Sequence, residues 1–475
     1  MQLNKLTIEE AHRGLKNKEF SAVELTEACF DSIRKQDEKL NAFITITEDQ
    51  ALAQAEKVDN KIKNSHQELN ILEGIPVALK DNILVEDIKC SAGSKILESY
   101  IATYDATVVE KLKAAGSIIV GKTNMDEFAM GSSGETSYFG STKNPHDLTR
   151  VAGGTSSGST VAVASHEALF ALGSDTGGSV RLPASFCGVV GFKPSYGSIS
   201  RHGLIAMASS FDQIGVLSKT VKDSAYVYEA LAGIDKFDST TRKQKINVFE
   251  DIDKDIKGKR IGLPKEFFIE GMDSEVKELV LKAVAKLEAL GAEVVEVSLP
   301  RTKYALAIYY VLVPAEVSSN MARFDGVRYG YRAESANLLE MYLKTRQQGL
   351  GDEVRRRIML GTYVLSSGYY DAYYKKAQQV RRLIQQDFED VFKKVDLLLT
   401  PTSPTTAFSL GEKFNDPLTM YLADVFTVSV NVAGLPALSL PAGLVNKLPV
   451  GVQLIGKQFD ESTLFNIAEQ LEKKL

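Results

Sequence analysis

The stretch of sequence that decides the fold runs from residue 153 to residue 183. It reads Gly153-Gly-Thr-Ser-Ser-Gly-Ser159, then the apolar segment TVAVASHEALF, and then a second turn, Gly173-Ser-Asp-Thr-Gly-Gly-Ser179-Val-Arg-Leu-Pro183. Residues 131–203 hold 13 of the 35 glycines and 14 serines. A flexible linker can have this composition, but a linker lacks core-forming segments such as VAVA and CGVVGF. We therefore interpret this region as folded chain with much unusual backbone.

Strands and helices alternate on both sides of this region, which is typical of an α/β fold. Thr7-Ile-Glu-Glu10 and Ser21-Ala-Val-Glu24 have the form of helix capping boxes. The chain then alternates between predicted strands and helices up to residue 300, and residues 303–395 read as almost wholly helical. The predicted strands are FITITE (43–48), GIPVALKDN (74–82), SIIVG (117–121), a short strand before Gly173, RIGLP (260–264), a strand between Gly291 and Pro300, LLLTP (397–401), ALSLPAG (437–443) and GVQLIG (451–456). Strands that return after the helical segment predict one sheet with an inserted helical layer.

Composition excludes several classes of protein. The net charge of −5 argues against a protein that holds nucleic acid on its own surface. Three well-separated cysteines fit neither a disulfide scaffold nor a CxxC zinc site. The sequence shows no membrane span and no signal peptide, so we expect a cytoplasmic protein.

One match to a known motif is misleading. Gly116-Ser-Ile-Ile-Val-Gly121-Lys122-Thr123 has the GxxxxGK[ST] spacing of a phosphate-binding loop. The residues between its glycines are a β-branched run that favours a strand, and a charged helix precedes the first glycine where a strand is needed. We therefore predict a strand here and no nucleotide site.

Hydroxyl groups and one lysine are the remaining candidates for chemistry. Glycine amides just before a serine suit an oxyanion hole, because they can point at developing negative charge. A serine nucleophile also needs a base. Of the five histidines, we expect His66 in a solvated loop, His166 as a structural residue of an apolar helix, and His146 and His202 in loops.

Lysine is then the remaining base, as in Ser-Lys variants of the catalytic triad. Lys80 ends the apolar run Ile75-Pro-Val-Ala-Leu79. Its pKa, roughly 10.4 when free, can fall by up to about 3–5 units on burial. The opposing interpretation is a solvated lysine at the end of a strand.

The two glycine-rich turns, at 153–159 and 173–183, and the apolar segment that ends at Lys80 together resemble the amidase signature family. Further motifs make the chain similar to the glutaminase subunits of tRNA-dependent amidotransferases within it, and the match covers essentially the whole chain. The motifs are Asn124-Met-Asp-Glu-Phe-Ala-Met-Gly131, Arg323-Phe-Asp-Gly-Val-Arg-Tyr-Gly330, Ser366-Ser-Gly-Tyr-Tyr-Asp-Ala-Tyr-Tyr374 and Asp416-Pro-Leu-Thr-Met-Tyr421. The resemblance implies an α/β fold with a mixed, mostly parallel central sheet covered by helices on both faces. It also implies a single amidase domain over 1–475, with the helical insertion at about 303–395.

The resemblance implies a catalytic triad of Ser179 as nucleophile, Lys80 as base and a bridging hydroxyl between them. That hydroxyl belongs to a serine in the family, preceded by a cis peptide, but the matching residue here is Thr155. Thr155 keeps the hydroxyl, so we expect it to relay the proton, with activity reduced by its methyl group. Ser156 is the alternative relay. The backbone amides of Thr176, Gly177 and Gly178 are the expected oxyanion hole.

The same resemblance assigns the substrate, glutamine, and its binding residues. Arg357 is expected to pair with the α-carboxylate and Asp424 with the α-ammonium, and Tyr309 is a further expected contact. Without the resemblance, Arg357 belongs to a run of three arginines that is typical of a solvated helix face. No metal or cofactor is expected in this chain.

The partners implied are the B and C subunits of a heterotrimer. One of them uses ATP and Mg²⁺ to convert Glu-tRNA(Gln) to Gln-tRNA(Gln) with the ammonia released here, and holds the tRNA. Two alternatives stay open: a stand-alone amidase acting on another amide, and a scaffold subunit weakened at Thr155.

Overall fold

The computed structural model describes residues 2–64, 68–244, 246–414 and 416–475, and for Pro417 and Leu418 only the backbone. The prediction for His66 therefore lies outside the described residues. The strands are β1 (Phe43–Ile46), β2 (Pro76–Lys80), β3 (Ile118–Thr123), β4 (Lys143–Asn144), β5 (Asp147–Val151), β6 (Phe170–Asp175), β7 (Val190–Lys193), β8 (Gln213–Ser218), β9 (Arg260–Pro264), β10 (Glu293–Val297), β11 (Leu397–Pro401), β12 (Ala437–Val445) and β13 (Leu448–Gly456).

The α-helices are α1 (Ile8–Lys16), α2 (Ala22–Leu40), α3 (Glu48–Asn64), α4 (Thr107–Ala114), α5 (Ser157–Ala164), α6 (Arg181–Cys187), α7 (Val221–Leu231), α8 (Ser274–Ala289), α9 (Ala305–Asn320), α10 (Leu338–Gly349), α11 (Asp352–Leu365), α12 (Lys376–Val391), α13 (Pro417–Tyr421), α14 (Val428–Ala433) and α15 (Glu461–Glu472). Residues 370–375 form a π-helix. Short 3-10 helices span Leu3–Lys5, Lys95–Leu97, Glu127–Ala129, Lys265–Phe267, Thr302–Tyr304, Met321–Arg323 and Leu422–Asp424. Both predicted capping boxes are present, at Thr7 and Ser21.

Eleven strands form one mixed sheet in the order β1-β3-β2-β6-β8-β7-β12-β13-β11-β9-β10. The mixed sheet was expected, but the balance of directions differs from the expectation. Among the described strands, the pairs β3–β2, β2–β6, β11–β9 and β9–β10 are parallel, whereas the other neighbours in this sheet are antiparallel. The antiparallel centre arises because β12 and β13 form a hairpin and β7 and β8 also pair directly.

Both faces of the sheet are buried, and the strand period of two divides the side chains between two cores. Leu397 and Leu399 of β11 lie in one core, and Leu398 lies in the other. The first core also takes apolar side chains of α2, α7, α8 and α15, whereas the second takes those of α9, α11, α12 and α14. The helical segment expected at 303–395 therefore covers one face of the sheet. The single-domain assignment stays a prediction, which this shared sheet supports.

Two smaller expectations can be compared with the structure. The motif resembling a phosphate-binding loop is strand β3 as predicted, and within it Lys122 is buried and lies 3.2 Å from the carboxylate of Asp81. The expectation that His166 lies within a helix is wrong, because α5 ends at Ala164 and His166 follows it with a positive φ. The described helices include none that is long and apolar enough to cross a membrane.

Candidate active site

Lys80 is the last residue of β2 and is fully buried. Its Nζ lies 2.7 Å from Thr155 Oγ1, 3.0 Å from Ser156 Oγ and 2.9 Å from Ser174 Oγ. Burial lowers the pKa of Lys80 to about 7, although three nearby carboxylates, Asp126, Asp175 and Asp212, act in the opposite direction. A large fraction of this lysine is therefore neutral near pH 7 and able to accept a proton.

The turn before α5 supplies the hydroxyl groups that surround this amine. The peptide bond between Gly154 and Thr155 is cis. A Cβ atom on Gly154 would lie 2.0 Å from Asp126 Oδ2, so this position requires glycine. Within the described residues, Lys80 is the hydrogen-bond partner of the Thr155 side chain. This leaves the Thr155 hydroxyl available for a second partner.

Ser156, the alternative relay, is held differently. Its hydroxyl donates to the Ser174 carbonyl at 3.1 Å and accepts from the Ser174 amide at 3.2 Å. Its backbone amide donates to the Ser179 carbonyl at 3.0 Å. Ser156 therefore joins the two glycine-rich turns, and its hydroxyl is already committed to Ser174.

The second turn places Ser179 between β6 and α6, with 8% of its surface exposed. Asp175 folds back onto this turn and accepts hydrogen bonds from the amides of Gly178 (2.9 Å) and Val180 (3.1 Å). We expected the Gly178 amide to contribute to an oxyanion hole, but the Asp175 carboxylate competes for its hydrogen. Within the described part of the chain, the amides of Thr176, Gly177 and Ser179 have no hydrogen-bond partner, so they remain candidates for the oxyanion hole.

A buried ion pair supports this turn. Arg181 donates to both carboxylate oxygens of Asp175, each at 3.0 Å, and both side chains are fully buried. Arg181 also donates to Asn431 and Gln453, which come from α14 and β13. The charge of Arg181 and its hydrogen bonds keep the pKa of the Asp175 carboxyl low, at about 2, against the effect of burial. Asp175 is therefore a charged, fixed acceptor that shapes the turn of Ser179, the predicted nucleophile.

The expected substrate-binding residues lie next to this turn. A Cβ atom on Gly177 would lie 2.7 Å from the Tyr309 hydroxyl, and one on Gly178 would lie 3.3 Å from Asp424 Oδ1. Burial raises the pKa of Asp424 to about 7, and the Ser132 hydroxyl donates to its Oδ2 atom. Tyr309 and Asp424 therefore meet the turn that carries the predicted nucleophile.

Arg357 is buried, unlike a typical residue of a solvated helix face. Its Nε atom donates to Glu353 at 2.8 Å, and the central carbon of its guanidinium lies 5.3 Å from the ring centroid of Tyr310 and 5.5 Å from that of Tyr421. Its Nη2 atom has no hydrogen-bond partner among the described residues. A buried, unpaired guanidinium donor is costly unless a ligand completes it, so this atom points to an anionic ligand group.

Several residues that shape this site were not found from the sequence. These are Asn82, Asp126, Ser132, Ser174, Asp175, Arg181 and Glu353. The charged pair Asp175 and Arg181 had a visible signal, because it flanks the nucleophile inside an otherwise apolar and glycine-rich stretch. Asn82, Ser132 and Ser174 bond to residues that are distant in sequence, so no local pattern predicts their roles. Glu353 and Asp126 have partners nearby in sequence, four and eight residues away, but neither spacing was recognised as part of a site.

A cavity of about 350 Å³ is lined by residues that bond to Arg357 and Asp424, although these two expected substrate-binding residues are not part of its lining. Its lining includes Ser132 and Glu353, which hold Asp424 and Arg357, and also Tyr421. The hydroxyl of Ser133, another lining residue, is buried without a partner among the described residues. The described residues contain no cluster of three or more histidine, cysteine or acidic side chains suited to a metal ion.

The chain is similar over its length to known amidases. The family model for amidases matches residues 24–465. The A subunit of glutamyl-tRNA(Gln) amidotransferase from Fusobacterium nucleatum is 56% identical, over all of this chain and 97% of that protein. The crystal structure of the protein of the same name from Thermotoga maritima is 44% identical, with a TM-score of 0.83 over 99% of this chain and 95% of that one.

A solved peptide amidase, in complex with the inhibitor chymostatin, is more distant in sequence. It is 29% identical, with a TM-score of 0.85 over 98% of this chain and 97% of that one. The fold therefore extends to amidases with other names. With a family model spanning most of its length and full-length relatives above half identity, the chain belongs to the amidase signature family.

Proposed function

We propose that this chain is the glutamine-hydrolysing subunit of a glutamyl-tRNA(Gln) amidotransferase. The observation that carries the proposal is the buried, partly neutral Lys80 at 2.7 Å from the Thr155 hydroxyl, beside the turn of Ser179. The relatives that are named as A subunits of this enzyme, and that match over the full length, support the substrate assignment. The unpaired donor of Arg357 suits the α-carboxylate of an amino acid.

The first chemical step is acylation of Ser179. Neutral Lys80 accepts a proton from the Thr155 hydroxyl, which in turn takes the proton of Ser179. The Ser179 oxygen attacks the side-chain amide carbon of glutamine, and the free amides of the turn stabilise the negative charge on the amide oxygen. The proton returns along the same path to the leaving nitrogen. Ammonia departs, and a glutamyl ester remains on Ser179.

Water then completes the cycle. Lys80, neutral again, removes a proton from water through Thr155, and the resulting hydroxide equivalent attacks the ester. The C–O bond to Ser179 breaks, Ser179 regains its proton, and glutamate leaves. The ammonia serves a partner subunit that activates Glu-tRNA(Gln) with ATP and Mg²⁺, in a cytoplasmic heterotrimer with B and C subunits.

A stand-alone amidase is the second candidate, and the structural likeness to a peptide amidase favours it. The two candidates differ in how they treat the α-groups of glutamine. A subunit of an amidotransferase uses Arg357 and Asp424 and prefers glutamine to a simple amide such as acetamide. A stand-alone amidase on another substrate shows no such preference.

The test is ammonia release from glutamine and from acetamide, by wild type and Ser179→Ala, alone and co-expressed with the partner subunits. We expect release from glutamine that depends on Ser179 and increases with the partners. Acetamide hydrolysis equal to or above glutamine hydrolysis would favour the stand-alone amidase. Wild type that forms no acyl-enzyme on Ser179 would identify a weakened scaffold.

A further inference from the structure

Two residues that line the cavity, Glu353 and Ser132, form hydrogen bonds with the expected substrate-binding residues Arg357 and Asp424. Glu353, in the first turn of α11, accepts hydrogen bonds from Arg357 Nε at 2.8 Å and from the Tyr421 hydroxyl at 2.9 Å. Ser132 is buried and donates to Asp424 Oδ2. Both residues line the cavity of about 350 Å³. Each therefore contacts one substrate-binding residue without belonging to the triad.

Glu353 determines which edge of the Arg357 guanidinium remains free. The Nε edge is bonded to Glu353, and the aromatic rings of Tyr310 and Tyr421 lie nearby. The Nη2 atom is the buried donor without a described partner. A planar guanidinium held at Nε presents its remaining N–H groups in a fixed direction. The position of a bound carboxylate is therefore set by Glu353 as much as by Arg357.

Ser132 has the same relation to Asp424. Its single proton has two acceptors in reach, the Asp424 carboxylate and the Gly131 carbonyl, the latter at 2.8 Å. When Asp424 is ionised, its carboxylate is the stronger acceptor of the two. The bond to Oδ2 leaves Oδ1 facing the nucleophile turn, where it lies 3.3 Å from a Cβ built on Gly178. That oxygen is placed to receive an ammonium group.

We propose that Glu353 and Ser132 are positioning residues that make the enzyme specific for α-amino acid amides, each serving one α-group of the substrate. Glu353 acts on the α-carboxylate through Arg357, and Ser132 acts on the α-ammonium through Asp424. This inference rests on the proposed function, because it takes glutamine as the substrate. Neither residue contacts the reacting amide, so their effects depend on which α-groups the substrate has.

Four amides that share the reacting group test the proposal. Glutamine has both α-groups, 4-carbamoylbutanoate has only the carboxylate, 4-aminobutanamide has only the ammonium, and butanamide has neither. The kcat/KM of the co-expressed complex is measured for each. Glu353→Gln is expected to lower it about tenfold or more for the two carboxylates and to leave the other two within about twofold. Ser132→Ala is expected to do the same for the two ammonium compounds.

If the simple amides react too slowly to measure, a double variant tests with glutamine alone whether Glu353 acts through Arg357. If Glu353 acts through Arg357, Glu353→Gln has no further effect on glutamine hydrolysis in an Arg357→Met background. Glu56→Gln, an exposed glutamate on α3, is the matched control and is expected to behave as wild type.

Uniform losses over all measurable substrates, no loss at all, or additive losses in the double variant would each overturn the proposal. Failure of the proposed function looks different. In that case wild type itself releases no ammonia from glutamine, or keeps releasing it after Ser179→Ala. A wild type that is active on glutamine, with a Glu353→Gln loss shared by butanamide, refutes the positioning role alone.

Discussion

Replacing Thr155 with valine removes the relay hydroxyl and keeps the branched shape of the side chain. Lys80 Nζ then loses its shortest contact, at 2.7 Å, and keeps Ser156 and Ser174 as neighbours. Proton transfer by a positioned group contributes about 10²–10⁴ in rate, which corresponds to about 3–5 kcal/mol of activation free energy. We expect kcat for glutamine to fall by that factor.

The free energy of unfolding changes less. An unpaired buried group costs about 1–3 kcal/mol, against a total stability of about 5–15 kcal/mol for a typical protein. Thr155→Val therefore stays folded, and the loss of rate can be attributed to the relay. Thr155→Ser keeps the hydroxyl and removes a buried methyl group, so we expect it to keep or exceed the activity of wild type.

The assay is ammonia release under saturating glutamine, with thermal unfolding of each variant as the stability control. Ser156→Ala is the matched comparison, because Ser156 also contacts Lys80 but is committed to Ser174. Unchanged activity in Thr155→Val, together with lost activity in Ser156→Ala, would refute the assignment of the relay to Thr155.

Four further outcomes are expected. Because Lys80 must be neutral and Asp424 ionised, and burial brings the pKa of each to about 7, kcat/KM for glutamine should fall at least about tenfold per pH unit below about pH 7 and level off above it. A pH–rate profile that is flat down to about pH 5.5 would contradict this. Arg357→Met should raise KM for glutamine about 30-fold or more, since a charged pair is lost, and an unchanged KM in steady-state kinetics would exclude the carboxylate role. Gly178→Ala should destabilise the protein by more than about 1 kcal/mol in urea titrations, because φ is +142° and the new Cβ would lie 2.2 Å from a threonine hydroxyl; wild-type stability would show that the turn relaxes freely. Arg181→Met leaves Asp175 buried without its cation and should cost about 3–5 kcal/mol in the same titration, whereas a loss below about 1 kcal/mol would mean that water reaches this carboxylate.

Much of the fold was predictable because the local signals agree with the tertiary structure. The run Ile118–Thr123 is a strand despite its spacing of a phosphate-binding loop, since β-branched residues favour extended backbone. The strands β7 and β8 were not predicted individually, because they lie in or next to the glycine-rich region. The preponderance of antiparallel pairs was also missed. Pairing partners such as β7 and β12 are about 250 residues apart in sequence, so no local pattern reveals their direction.

In the candidate site, too, some features were predictable from the sequence and others were not. Lys80 was recognised because its charge interrupts an apolar run. Its burial, which the structure shows, lowers its pKa as the predicted role of a base requires. The resemblance assigned the Gly178 amide to the oxyanion hole, whereas in the structure this amide donates to Asp175. The sequence gives no information on where the Asp175 side chain points. The burial of Arg357 was equally invisible in a run of three arginines, since it depends on Tyr310 and Tyr421 from other parts of the chain.

The strand order has a consequence for how the protein is made. Among the described strands, β12 and β13 come after all the others in sequence, yet they lie in the middle of the sheet, between β7 and β11. Asn431 and Gln453, which bind Arg181 behind the nucleophile turn, also come from this final stretch. A nascent chain that has not yet reached β13 therefore lacks both the centre of its sheet and the support of Ser179. We therefore expect a chain truncated before β13 to hydrolyse no glutamine, because Arg181 lacks its contact with Gln453 and the turn of Ser179 loses this support.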